Sequence, residues 1–109
     1  MFAKKHRLGK SRDFQTAFAK GRSFFNPYIN LKYFSHPGAS RFTVVVSAKV
    51  YKRATARNRL KRIFRELLKQ RQKVLRSGDY IVFTKPALVK LSEKDQLGSL
   101  AGLLDKLKI

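Results

Sequence analysis

Residues 46–68 read VSAKVYKRATARNRLKRIFRELL, and they decide the fold because a strand-like pattern here gives way to a helical one. From Asn58 onward, Leu60, Ile63, Phe64, Leu67 and Leu68 recur at i, i+3, i+4, i+7 and i+8, one face of an amphipathic helix. At 100° per residue, Asn58, Lys61, Arg62, Arg65 and Lys69 gather on the opposite face. Thr55 is the expected N-cap, and the helix is expected to run to about Arg76, where Ser77 and Gly78 end it. Arg57 and Arg59 then fall in the first turn, where unpaired backbone N–H groups and the macrodipole favour negative charge. Two arginines there cost the helix stability. An anionic ligand accounts for them, since phosphate oxygens are held by helix N–H groups and guanidinium forks together. A purely solvated basic face would not need its cations at the unfavourable helix end.

Upstream, residues 41–47 are rich in Val and Thr. In residues 28–34, Tyr28, Asn30, Lys32 and Phe34 alternate with Ile29, Leu31 and Tyr33, the period of a half-buried strand. Pro27 opens that strand and His36, Pro37 and Gly38 form the turn, so the two strands are expected to pair antiparallel. A further short strand between Arg22 and Asn26 is left open. Before them, Ser11 reads as an N-cap with Asp13 in the first turn, followed by a short helix with Phe14, Ala17 and Phe18 on one face and a stop at Gly21. Periodicity alone makes Phe14 and Phe18 core residues. Residues 1–10 read as a basic, mobile arm.

Downstream, residues 80–84 form a short apolar strand, buried on both faces if it lies inside a sheet, and Lys85 and Pro86 end it. Ser92 with Asp95 resembles a capping box for a last helix whose stripe is Leu97, Leu100, Ala101, Leu104 and Leu107. The order helix, strands, helix, strand, helix implies an α+β sandwich in a single domain over residues 1–109.

Composition narrows the function. There are 26 Lys plus Arg against 6 Asp plus Glu, a formal charge of +20. A fold carrying that self-repulsion has a polyanion to neutralise it, most often nucleic acid. The 9 Phe and 4 Tyr separate it from disordered basic tails, which lack aromatic residues. The absence of cysteine fits a reducing cytoplasm. No apolar run reaches membrane-spanning length and no signal peptide is recognisable, so no membrane partner is expected. The six acids, Asp13, Glu66, Asp79, Glu93, Asp95 and Asp105, are scattered, which argues against a metal site and a metal-dependent nuclease. His6 and His36 lie in an arm and a turn, a poor acid–base pair for a histidine ribonuclease. The chain therefore reads as a binder with no catalytic residue. RNA is favoured over duplex DNA, because Phe14, Phe18, Tyr28 and Phe34 offer faces for unpaired bases and no helix-turn-helix is present.

The run AKVYKRATARNRLKRIFRE, with Arg57, Asn58, Arg59, Lys61, Arg62, Arg65 and Glu66, resembles the RNR signature of the bacterial ribonuclease P protein component. The likeness extends to HRLGKSRDFQTAFAKG upstream and YIVFTKPA downstream, covering nearly the whole chain. It implies a ribosomal protein S5 domain 2-like fold with a left-handed βαβ crossover, against the usual handedness. It implies a protein subunit of ribonuclease P, one copy per RNA, assisting removal of the 5′ leader from precursor tRNA. The catalytic RNA would perform the cleavage with Mg2+ that it mainly holds itself, and the protein alone would be inert. The RNA subunit would meet Arg57, Asn58, Arg59, Lys61, Arg62 and Arg65, with Lys49, Lys52 and Arg53 from the preceding loop. A cleft between the first helix and the sheet would take the single-stranded leader on Phe14, Phe18, Asn30, Lys32, Ser47 and Lys85. Of the two aromatics, Phe14 is expected to be the cleaner leader contact and Phe18 the more mixed. The chain departs from many members at Ala48–Lys49, where consecutive lysines are usual, and at Tyr51–Lys52, where a glycine is usual. The alternative is a general or ribosomal RNA-binding protein with no role in cleavage.

Overall fold

The amphipathic stretch folds as helix α2 (Ala54–Arg71), which buries Leu60, Phe64 and Leu68. In the computed structural model, which describes residues 7–9 and 11–109, α2 differs from expectation at both ends. Its N-cap is Arg53, extended at φ −80° and ψ 131° and making no side-chain cap, so Thr55 lies inside the helix. It ends at Arg71 rather than Arg76. The reason is Leu75, whose side chain is buried in the core while its backbone bridges to Lys108 and the Arg76 N–H donates to the Leu107 carbonyl at 2.9 Å. The chain leaves the helix to pair with its own C-terminal segment.

Four strands form one sheet, β1 (Arg22–Phe25), β2 (Ile29–Ser35), β3 (Arg41–Val45) and β4 (Gly78–Thr84), in the order β1-β2-β4-β3. The strand left open before Asn26 is real and forms a hairpin with β2. The antiparallel pairing expected between residues 28–34 and 41–47 does not occur. β4 lies between them, antiparallel to β2 from Ile29↔Thr84 to Ser35↔Gly78 and parallel to β3 from Arg41↔Asp79 to Val45↔Phe83. Burial explains the insertion. Tyr80, Ile81 and Val82 are all fully buried, and only a central strand covered on both faces can bury consecutive residues. β3 takes the edge.

Helices α2 and α3 (Glu93–Leu104) cover one face of the sheet and α1 (Ser11–Lys20) the other. A short 3-10 turn (Pro86–Lys90) leads to α3, where Ser92 accepts the Asp95 N–H as expected, and a second (Asp105–Leu107) follows it. The α3 stripe is shifted from the expected one. Leu100, Leu103, Leu104 and Leu107 are buried together with Gln96, while Leu97 and Ala101 are only half-buried. Gly21 ends α1 as foreseen, for want of room: a Cβ there would lie 2.3 Å from the Ala17 carbonyl oxygen. Gly38 takes φ 98° in the turn before β3, a region that favours glycine.

Residues 7–9 are docked, which corrects the reading of a mobile arm at that point. Leu8 is buried with Ala17 and Ile81, and its N–H donates to the Phe42 carbonyl at 3.0 Å. The rest of the arm, with His6, lies outside the described residues, and so does the side chain of Ser11, the expected cap of α1.

Candidate nucleic-acid interface

Alternation in the strands divides the sheet. Ile29, Leu31, Tyr33, Phe42, Val44, Tyr80 and Val82 point at α2 and α3 and close the main core. Asn30, Lys32, Phe34, Val45, Ile81 and Phe83 belong to the other face, where α1 packs Ala17 onto Ile81. Helix α1 covers only part of that face. Phe14 and Phe18 stack with centroids 6.4 Å apart and planes 14° from parallel, and both meet Phe83 edge-on, at 6.4 and 5.6 Å. The Lys32 ammonium lies 5.6 Å from the centre of the Phe18 ring, a cation–π pair.

The two phenylalanines exchange the parts expected of them. Phe18 is 50% exposed, whereas Phe14 is half-buried against Leu8, Ala17 and Ile81. Ala17 causes this by seating the helix on Ile81, which turns the next residue outward and leaves Phe14, three residues earlier, on the packed side.

Asn30 pairs across β2 with Phe25 on one side and Phe83 on the other, and its Oδ1 is buried without a hydrogen-bond partner among the described residues. Beyond it, Lys85 Nζ donates to the Asn26 carbonyl at 2.7 Å and lies 5.5 Å from the centre of the exposed Phe25 ring. Ser47, exposed, follows two residues after Val45. The structure thus brings Phe14, Phe18, Asn30, Lys32 and Lys85 to one face and Ser47 to its margin. Sequence reasoning missed Phe83 and Phe25. The alternation Tyr80, Val82 against Ile81, Phe83 was the available signal for the first, hidden by reading the strand as uniformly apolar.

The basic residues of α2 sort into two groups. Asn58, Arg62 and Lys69 are exposed and Lys61 and Arg65 half-exposed, and none forms an ion pair among the described residues. Arg57 and Arg59 are engaged within the protein. Arg57 Nη1 donates to the carbonyls of Tyr51 and Lys52, at 2.9 and 2.7 Å, and Arg59 Nη2 donates to Glu93 at 3.0 Å. Lys49, Lys52 and Arg53 are exposed on the loop joining β3 to α2, so the two surfaces adjoin at Ser47.

At the far end of the open face, Arg41 bridges two elements. Its Nε and Nη2 donate to Asp79 at 2.7 and 2.8 Å, and its Nη1 to Asp13 of α1 at 2.8 Å. The hydrogen bond to Asp79 raises the pKa of Arg41 above its usual value. Asp79 is 2% exposed, and a buried carboxylate needs such a partner. His36 also turns inward, with Nε2 2.7 Å from Asp79 and Nδ1 2.6 Å from the Pro37 carbonyl. Both of its ring nitrogens thus face oxygen atoms of the chain itself. Glu93 pairs with Arg59, and Asp105 with Arg71 and Lys108. Most of the acids thus serve cations of the chain itself, and no three candidate metal ligands converge among the described residues. No helix among them is long and apolar enough to cross a membrane.

The family model for ribonuclease P matches residues 2–108. The ribonuclease P protein component of Pseudanabaena is 34% identical over 112 residues, covering 100% of this chain and 97% of its own. Among solved structures, a Staphylococcus aureus RNase P protein mutant with defective mRNA degradation activity superposes with a TM-score of 0.86 at 28% identity, covering 94% of this chain and 88% of its own. The RNase P protein from Thermotoga maritima gives 0.81 at 29% identity, covering 94% and 98%.

Proposed function

The chain belongs to the ribonuclease P protein component family, the protein subunit of the tRNA-processing endoribonuclease, and from that premise we propose how it divides its work. The exposed cations of α2 and of the preceding loop bind the phosphates of the RNA subunit. The open face beside α1 holds the single-stranded 5′ leader of precursor tRNA. The observation that carries this reading is Phe18, half-exposed on a stacked aromatic pair with the Lys32 ammonium over its ring. Bases stack on such rings whatever their sequence, and a neighbouring ammonium suits the phosphate between them. The unpaired Oδ1 of Asn30 offers an acceptor to a base amine.

Cleavage belongs to the RNA subunit, and the protein supplies affinity and position, one copy per RNA, in the cytoplasm. Mg2+ is held by RNA phosphates in this reading. The acids do not fit a magnesium site, because no three candidate ligands converge among the described residues and Asp13 and Asp79 are both tied to Arg41. The test is to add the chain to the catalytic RNA at low Mg2+ and follow precursor tRNA cleavage. Restored cleavage that exceeds the gain on leaderless substrate supports the reading, and RNA binding without restored cleavage returns the chain to the class of general RNA binders.

A second reading, RNA degradation by the protein itself, is raised by the Staphylococcus aureus mutant defective in mRNA degradation. Incubating the protein alone with single-stranded RNA decides it: intact RNA is expected, and cleavage that survives His6→Ala plus His36→Ala would point to a protein active site.

A further inference from the structure

The loop between β3 and α2 carries the exposed cations Lys49, Lys52 and Arg53. Its first half is well held: Val46 and Val50 are buried, and the Ser47 carbonyl accepts the N–H groups of Val50 and Tyr51 at 3.0 and 3.4 Å. Its second half is held by Arg57. The Arg57 backbone N–H donates to the Arg53 carbonyl at 3.2 Å. A single guanidinium nitrogen, Nη1, closes over the successive carbonyls of Tyr51 and Lys52 at 2.9 and 2.7 Å. Bonds from a charged donor are roughly twice as strong as neutral ones, and these two take both hydrogens of Nη1.

We propose that Arg57 is a positioning residue: it acts on the RNA subunit through the second half of the loop, holding Lys52 and Arg53 at the N-terminal end of α2, and does not itself take a phosphate. This rests on the reading above, since the loop must face RNA for its position to matter. It separates Arg57 from Arg62, which is exposed and unpaired among the described residues. Removing Arg62 deletes one contact, while removing Arg57 releases the half-loop that carries two, Lys52 and Arg53.

The test measures binding of the catalytic RNA across a salt series. Arg62→Ala is expected to lower the log–log slope by roughly one unit, and Arg57→Ala by roughly two. The triple variant Lys49→Ala, Lys52→Ala, Arg53→Ala should lose roughly one unit more than Arg57→Ala, for Lys49, and adding Arg57→Ala to it should change little. In the free protein, amide exchange at Tyr51 should quicken in Arg57→Ala while exchange at Val50 and in β4 stays slow. A loss of about one unit that adds fully to the triple variant, with loop exchange unchanged, would make Arg57 a direct phosphate contact and overturn the proposal. If the triple variant binds RNA normally, the loop does not meet RNA, and it is the underlying reading that fails. Should Arg57→Ala not fold, Arg57→Met keeps the apolar stem and carries the same comparison.

Discussion

Tyr80 and Ile81 are adjacent in β4 and equally buried, yet they serve opposite faces of the sheet. Tyr80 lies between Tyr33 and Phe42, its ring centroid 5.0 and 5.1 Å from theirs, in a core closed by two helices. Its hydroxyl donates to the Arg76 carbonyl, and burial raises its pKa. Ile81 lies under Ala17 of a single ten-residue helix, and one step along the strand from it, Phe83 is already half-exposed. The closed face is aliphatic and aromatic apart from Gln96, which is hydrogen-bonded to Tyr51 and Leu88, whereas the open face mixes phenylalanines with Asn30, Lys32 and Lys85. A two-faced sheet in so small a chain leaves one helix too few, and the uncovered area is where exposed aromatic and cationic side chains collect.

The contrast is open to breaking at its strong end. Phe64→Ala, on the closed face, should cost on the order of 3 to 5 kcal/mol, a melting shift of roughly 4 to 8 °C for each kcal/mol, and should reduce every RNA-binding activity together. A loss below about 1 kcal/mol would mean that the closed face is no better packed than the open one. Phe18→Ala sharpens the other side. It should weaken binding of leader-bearing precursor by roughly 1 to 3 kcal/mol while leaving mature tRNA binding intact and stability within about 1 kcal/mol. A large melting loss without selective loss of leader binding would make Phe18 a core residue after all.

Asp13→Asn tests what fixes the wall of the open face. It cuts the tie from α1 to Arg41 but leaves the Arg41–Asp79 pair, and for a partly exposed ion pair the cost should be roughly 0.5 to 1 kcal/mol. The accompanying loss should fall on leader binding, read by titrating precursor and mature tRNA side by side; an equal loss for both would sink the tether. The smallest effect lies at the end of the closed side. Hydrogen bonding to Lys108 holds the Asp105 carboxyl below its ordinary pKa of 3.8 against the opposing effect of desolvation, and a hydrogen bond to Arg71 adds to the lowering. A depressed pKa contributes stability that is present above the unfolded value and lost as pH falls through the folded one. Asp105→Asn should therefore lower the melting temperature slightly at neutral pH, and the difference from the parent should vanish in strong acid.

The parts of the fold that could be read from sequence were those with one dominant period. The alternation of residues 28–34 placed Asn30, Lys32 and Phe34 opposite Ile29, Leu31 and Tyr33, and the 3.6-residue spacing placed Leu60, Phe64 and Leu68 inside. Pairing was misread because neighbouring strands are usually partners, although the doubly buried run after Asp79 argued for a central position. The end of α2 was misread because Leu75 continues the helical spacing while reaching the core from an irregular segment. In the interface, residue types were legible and their partners were not. Nothing in the spacing distinguishes Arg57, turned back to two carbonyls, from Arg62, turned to solvent.

The position of β4 has a consequence in time. β3 has no neighbour in the sheet until a strand made 33 residues later arrives, so during synthesis Arg41–Val45 waits roughly two to seven seconds at about 5 to 20 residues per second. Over that interval β1 and β2 are the named strands that can already pair, and β3 presents open the edge that β4 will take. Non-local pairing of this kind is slow to form, so the last strand locks the whole molecule at once. A chain stopped at Arg76 would carry the helix with its arginines complete and yet lack the strand that gives them a fixed frame.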